Sequence, residues 1–462
     1  MAARGPWSLG RVRPGTLARL TYVTFLLVAI LLAIRWTTGA LDQYLPKDWS
    51  HAHEYDGLND WTMARLYLRG KNPYTPESLA EMKINDVGHP PTTAFWFVPL
   101  APLDKAIAAE IIDLTTWFLL VIQLYLCAKQ LGFPAPLAVT ALAFSWLLTT
   151  DGMTMHWHAV QLSEQIALPL AVCWVYLRRG KEVPAGIALG IACTFKLFPG
   201  LLILFLLFAR RFRAAVTAAA VYLSVAGVMT ATYGFSCWPL FLSQQQAITR
   251  RWMGSVRNAS LQGIILRAIS PICEGDVVPR TSATVIATLA GIMILALAAF
   301  MCRRALAHAR KVDPKSIDVP YALFSVLAVF LNPWIWEHYH VFLILPAFIV
   351  LAAFFAPFRR SLRAWLDEEA PGKALVRDGL SLAIVLVGLG AVIRIFSTSV
   401  YAKMALEAIW RTHPTPWYHH QLHLMEVLNW LPWAIMVILC LFAAWRLSPD
   451  RLLGPTSDGK IP

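Results

Sequence analysis

Charge is what this chain has least of. Only 15% of its 462 residues are Asp, Glu, Lys or Arg, against about a quarter in an ordinary soluble domain. Acid is the scarcer half: 27 Asp and Glu stand against 40 Lys and Arg, a net charge of +13. With 58% hydrophobic residues and a mean hydropathy of +0.56, a water-soluble globular domain is excluded. No Cys-x-x-Cys or other zinc spacing occurs among the 7 cysteines, and no His-Glu-x-x-His motif is present. No repeat of roughly 20–50 residues is found, which removes the solenoids. The apolar blocks do not alternate as barrel strands do, which removes a transmembrane barrel. The basic excess is read as loops facing anionic lipid rather than as a nucleic-acid footprint.

What is present is a series of separate apolar blocks of roughly 17–25 residues, the length that crosses a bilayer as helix. The expected fold is an all-α polytopic membrane protein, one integral domain over 1–462 with about 12 transmembrane helices. Spans are expected near 17–37, 106–128, 134–150, 158–177, 183–196, 198–209, 214–234, 280–302, 319–335, 338–356, 379–396 and 425–446. Arg4, Arg11, Arg13 and Arg19 precede the first apolar run, which lacks a small-residue cleavage site and is expected to stay as an uncleaved span. Residues 183–209 are long enough for one helix, but Lys196, Pro199 and Gly200 interrupt them, and basic clusters flank both ends. Two short halves, out and back, keep both clusters on one side. With that choice the inner loops hold most of the Lys and Arg, giving both termini inside. The long loops 38–105 and 235–279 then face outside, and 447–462 is a short cytoplasmic tail. Cys127, Cys173, Cys193, Cys302 and Cys440 read as small buried hydrophobes. Cys237 and Cys273 share the second outer loop, where an oxidising compartment would permit a disulfide.

The first outer loop holds the most chemistry. Asp56 and Asp60 are one helical turn apart, with Tyr55, Trp61 and Tyr67 around them. The pattern suits an amphipathic helix lying in the membrane interface. A carboxylate there can act as a general base; the pair can equally be solvated acids at a helix start. Gly70-Lys-Asn-Pro-Tyr74 is a helix stop and turn, and His89-Pro-Pro91 opens a rigid return to the membrane. Lys196, amid apolar residues, reads either as a cation for a phosphate or as a lysine snorkelling to the interface. Arg257, Asn258 and Arg267 read as a phosphate clamp or as surface charge. Between two spans, Trp336, Glu337, His338 and His340 form a polar turn suited to proton transfer or phosphate binding.

In order along the chain, these pieces resemble the polyprenol-phosphate-dependent mannosyltransferases of glycosyltransferase family 87, which have the GT-C membrane fold. In that family an outer-loop Asp precedes Gly by fourteen positions, with Pro-Tyr following, as Asp56 precedes Gly70 and Pro73-Tyr74. The family's Tyr-Pro-Pro is similar to His89-Pro-Pro91, its Gly-Gln to Val160-Gln161, and its Lys-x-x-Pro to Lys196–Pro199. Its Asn-x-Ser-Leu-x-Gly…Arg resembles Asn258–Gly263…Arg267, and its Pro-x-Ser-Trp-x-His-His resembles Pro333–Tyr339. Ile335 stands for the Ser, Tyr339 for the second His, and Asp60 for an aromatic. The resemblance implies transfer of a sugar, most often mannose, from a polyprenyl monophosphate to a lipid or glycan acceptor at the outer face of the plasma (inner) membrane. It implies Asp56 as inverting base, and His338 and Asp60 are the further candidates for the catalytic group. Lys196, Arg257, Arg267 and His340 would take the donor phosphate, and Tyr74, His89, Gln161, Asn258, Trp336 and Glu337 would bind substrate. No metal or other cofactor is expected, membrane lipids are the surroundings, and the chain is expected to act as a monomer. The rival from another class is a transporter or flippase of a lipid-linked sugar, which inverted repeats would favour; none is seen.

Overall fold

The computed structural model describes residues 27, 30, 31, 34, 35, 37, 38, 56–82, 87–133, 135–150, 153, 157, 160–255, 257–269, 281–366, 372–396 and 416–446. Within them, residues 56, 57, 281, 282, 337, 363, 366, 372, 393–396 and 416–429 are described by backbone alone. The described residues contain helix and no strand. In chain order the helices are α1 Asp56–Leu68, α2 Pro76–Met82, α3 Ala94–Phe97, α4 Lys105–Gln130, α5 Pro136–Leu147 and α6 Ser163–Arg178. They continue with α7 Glu182–Phe195, α8 Leu201–Phe208, α9 Phe212–Tyr233, α10 Cys237–Trp252 and α11 Leu261–Ile269. The last are α12 Thr281–Lys311, α13 Asp318–Phe330, α14 Ile344–Leu366, α15 Gly372–Phe396 and α16 Pro416–Arg446.

Five stretches among these residues are long and apolar enough to cross a membrane: Lys105–Gln130, Phe212–Tyr233, Ala283–Lys311, His338–Leu362 and Lys373–Val392. Their outward faces carry exposed apolar side chains, among them Leu114 and Phe118 on α4, Leu289 and Met293 on α12, and Leu380 and Val387 on α15. Such faces suit hydrocarbon and would be costly in water. The tryptophan, tyrosine and phenylalanine core lies between the helices, with Trp174, Tyr321 and Phe205 wholly buried. The chain is a multi-pass helical membrane protein.

Three ion pairs mark one end of the bundle. Arg178 meets Asp318 at 2.8 Å, Arg211 meets Glu182 at 3.5 Å, and Arg446 meets Asp378 at 2.9 Å. The divided block at 183–209 is resolved by packing. A Cβ at Gly186 would lie 2.4 Å from the Ala214 carbonyl oxygen, and one at Gly190 would lie 2.7 Å from that of Ala218. Residue numbers rise together on both helices, so α7 and α9 run parallel. Parallel neighbours require the chain between them to return, and Arg211 beside Glu182 shows that it does. Small residues permit this close backbone approach, the Gly-x-x-x-Gly logic of membrane helices. The out-and-back pair is therefore α7 and α8, hinged at Lys196, where the backbone is extended (φ −148°, ψ 154°).

One expectation is corrected. Helix α1 does not present a single apolar face as an amphipathic helix would: Leu58, Asp60, Trp61, Met63, Ala64 and Leu66 are all buried by the protein. The buried positions run around the helix instead of forming one stripe, so it is clasped from several sides. The indole of Trp61 donates to the Leu100 carbonyl at 3.0 Å, and Tyr233 donates to the Met63 carbonyl at 2.9 Å. Gly70 ends the helix as expected. It sits at φ +65°, and its amide and that of Lys71 bond back to Tyr67 and Leu66 at 3.0 Å, closing the last turn.

Candidate functional site

At the end of the bundle opposite the ion pairs, the loop before α3 joins the tip of α7. The last carbonyls of any helix lack partners within it. Here Thr92 donates to the Thr194 carbonyl at 2.7 Å and Thr93 to the Phe195 carbonyl at 3.0 Å. The Trp96 indole adds a 2.7 Å bond to the Thr194 hydroxyl and stacks on Phe195. Pro90 and Pro91 stiffen this connection. The segment that carries His89 is thereby fixed against the residue that precedes Lys196.

On one side of this joint is a buried acid. Asp60 is fully enclosed, and its Oδ2 lies 2.6 Å from His89 Nδ1. A carboxylate has no proton to give, so Nδ1 donates and a neutral His89 keeps its lone pair on Nε2. The other carboxylate oxygen, Oδ1, is buried with no hydrogen-bond partner. Tyr74 supports the same segment by donating to the His89 carbonyl at 2.6 Å. Complete burial holds the Tyr74 phenol well above its ordinary range, so it remains a donor. Gln245 clasps the loop from α10, donating to the Gly88 carbonyl at 3.0 Å.

On the other side is a buried cation. Lys196 is 8% exposed, and its Nζ donates to the Tyr339 hydroxyl at 2.8 Å. This excludes the snorkelling reading, because the ammonium turns inward. His338 packs its ring 4.8 Å from that of Tyr339 and, with His340, lines a cavity of about 560 Å³. The remaining lining is almost wholly apolar, drawn from α5, α14, α15 and α16, and includes Val139, Leu142, Ala347, Phe348, Leu389 and Met436. The cavity is thus a hydrocarbon-lined space with two imidazoles in its lining, and Tyr339 links the ring of His338 to Lys196.

The 255–267 segment is a fastener. Asn258 is buried, and its Oδ1 accepts from the amides of Ser260 and Ile335 at 3.0 Å. Its Nδ2 donates to the carbonyls of Met253 at 3.2 Å and Pro333 at 3.0 Å. Arg267 is 2% exposed and donates to the carbonyls of Ser255 and Asn258 at 2.6 and 2.9 Å. Asn258 ties this loop to the 333–335 turn, Arg267 braces the loop within itself, and Gly263 leaves room for the Asn258 amide, which a Cβ would approach to 2.9 Å. Arg257 covers the Trp336 ring at 5.1 Å, and Trp336 in turn packs edge-on to Trp252.

Gln161 is buried at the entrance to α6 and follows Val160, which sits at φ +50°. A β-branched residue in that region is strained, which explains why a Gly-Gln pattern suits the position. The sequence reading passed over Glu164, a fully buried carboxylate with neither oxygen partnered; a lone acid inside an expected span was the available signal. It also passed over Thr92, Thr93 and Tyr339 as supports. The side chains of Asp56 and Glu337 lie outside the described set; Asp56 is placed in the first turn of α1, ahead of Asp60. Cys237 is a free, buried thiol, and Cys273 lies outside the described residues. Among the described residues no group of three His, Cys, Asp or Glu could hold a metal ion.

The family model described as glycosyltransferase family 87 matches residues 88–329, just over half of the chain. Comparison with curated proteins and with solved structures returns no match.

Proposed function

Because the chain belongs to glycosyltransferase family 87, we propose that this membrane glycosyltransferase moves a sugar, mannose in the first instance, from a polyprenyl monophosphate to a hydroxyl of a lipid or glycan acceptor, at the outer face of a plasma membrane. The observation that carries this reading is the apolar cavity whose lining includes His338 and His340. It matches a donor with a long hydrocarbon tail and a phosphate at its head. Lys196 and His338 would receive that phosphate.

In the proposed step Asp56 takes the proton as the acceptor O–H bond breaks. The acceptor oxygen attacks the anomeric carbon from the face opposite the phosphate, and the anomeric C–O bond breaks with its electron pair left on the polyprenyl phosphate. The leaving group gains charge as it departs, so a cation and an imidazole N–H fixed nearby stabilise the transition state more than the ground state. A monophosphate needs no protonation to leave, and no step is routed through a metal.

Membranes holding the full chain, given radiolabelled polyprenyl-phosphate mannose, test the reading. Transfer of label to an alkyl mannoside is expected, with Asp56→Asn lowering it by about 10²–10⁴-fold. Unchanged transfer by the variant would overturn the role of Asp56. No transfer by the wild type to any acceptor, with label crossing the bilayer instead, would favour a transporter.

A further inference from the structure

The two halves of the site differ in the sign of their charge, and this assigns their occupants. Lys196 is an inward-facing ammonium. Across the Thr92–Thr194 joint, Asp60 is a buried acid held 2.6 Å from His89 Nδ1, with its second oxygen unpartnered. Two phenols among the described residues, Tyr74 and Tyr233, lie within electrostatic reach of Asp60, and neither supplies a positive charge. A phosphate entering that side would meet the carboxylate in a water-poor setting, where repulsion is strong. A neutral sugar hydroxyl would not, and it could donate to the His89 Nε2 lone pair. The His89 side chain is 10% exposed, so part of the ring is reachable from outside the protein core.

We propose that Asp60 and His89 form an acceptor-positioning dyad. Asp60 fixes the tautomer and angle of the ring, and His89 Nε2 accepts a hydrogen bond from an acceptor hydroxyl next to the attacking one. The dyad thereby selects a polyhydroxylated acceptor and sets its register against Asp56, one helical turn before Asp60. This deepens the transferase reading and rests on it. The role is positioning: no covalent bond or net proton transfer is assigned to His89.

The experiment uses the full chain in detergent with polyprenyl-phosphate mannose as donor and octyl mannoside as acceptor probe. Asp60→Asn and His89→Gln are compared with Asp60→Asn/His89→Phe, which keeps the ring volume without leaving a buried charge. The Phe-containing variant is expected to raise the acceptor KM by about tenfold or more while leaving the donor KM within twofold. That scale corresponds to one lost hydrogen bond. His89→Gln, which retains a hydrogen-bonding group, is expected to recover part of the loss. Thermal unfolding of each variant separates a folding defect from a binding one. A donor KM that rises instead of the acceptor KM would overturn the inference, as would an acceptor KM unchanged in the Phe-containing variant. Absence of transfer by the wild type would instead overturn the reading on which it rests.

Discussion

Replacing Gly190 by Ala tests whether the α7–α9 contact positions Lys196. In an open helix this change stabilises by about 1 kcal/mol, since Ala loses less backbone entropy. At Gly190 the new methyl would stand 2.6 Å from Val221 Cβ and 2.7 Å from the Ala218 carbonyl oxygen. Carbon atoms settle at about 3.5–4.0 Å, so the helices must separate by roughly 1 Å. Neither obstacle can swing aside: one is backbone and the other a Cβ. Overpacking of this kind costs about 1–3 kcal/mol, which cancels the propensity gain and leaves a net loss. Gly227 on α9 supplies the control, because a Cβ there meets nothing within 4 Å.

The two substitutions, chemically identical, are expected to move stability in opposite directions. Thermal unfolding followed by loss of the monodisperse size-exclusion peak reads this directly. Lys196 caps the C-terminus of α7, so displacing the helix by roughly 1 Å also misplaces the ammonium. Loss of alignment on that scale can lower turnover by as much as about 10²-fold, so G190A should lose transfer activity while G227A keeps it. If G190A proves as stable and as active as G227A, the parallel, close-packed arrangement of α7 and α9 is wrong.

Asn258→Ala removes an amide that makes four hydrogen bonds to the buried 253–260 and 333–335 backbone. With about 1–3 kcal/mol for each buried group left unpaired, a clear drop in unfolding temperature is expected; an unchanged temperature would refute the fastener. Ala347→Trp places a large side chain in the 560 Å³ cavity. It should raise the KM for a polyprenyl-phosphate donor and spare a short-chain analogue; equal effects on both would argue against tail binding there.

The helices were legible because their signal is local. Apolar blocks of spanning length mark the bundle, and Gly70 stops α1 with a left-handed backbone that can be read from residue type alone. The division at Lys196 was also readable, since basic residues on both flanks demanded a return. What stayed hidden is long-range. His89 lies 29 residues from Asp60 and Tyr339 lies 143 from Lys196, and no periodicity links such positions. The spacing of Asp56 and Asp60 placed both on one helix face; it could not say that protein, not lipid, would enclose the second. Arg267 shows the same limit from the other side, because a guanidinium in a polar loop has the same sequence signal whether it awaits a phosphate or holds backbone carbonyls.

Tyr339 illustrates how a departure from a pattern can preserve its physics. It stands where the resemblance has a second histidine. In the structure its hydroxyl accepts the Lys196 ammonium at 2.8 Å, and its ring face lies 4.6 Å from the same nitrogen. A neutral histidine would offer an acceptor nitrogen and an aromatic face to the same cation. The position therefore demands an acceptor that restrains a buried lysine and still leaves its charge intact, and two different rings meet that demand. Among the described residues Tyr339 is the side chain bonded to Lys196, and a neutral partner compensates little of a buried ammonium's charge. That is the condition in which an arriving phosphate gains most, and it supports the proposed donor head-group site at Lys196 for a reason independent of the motif that first drew attention to it.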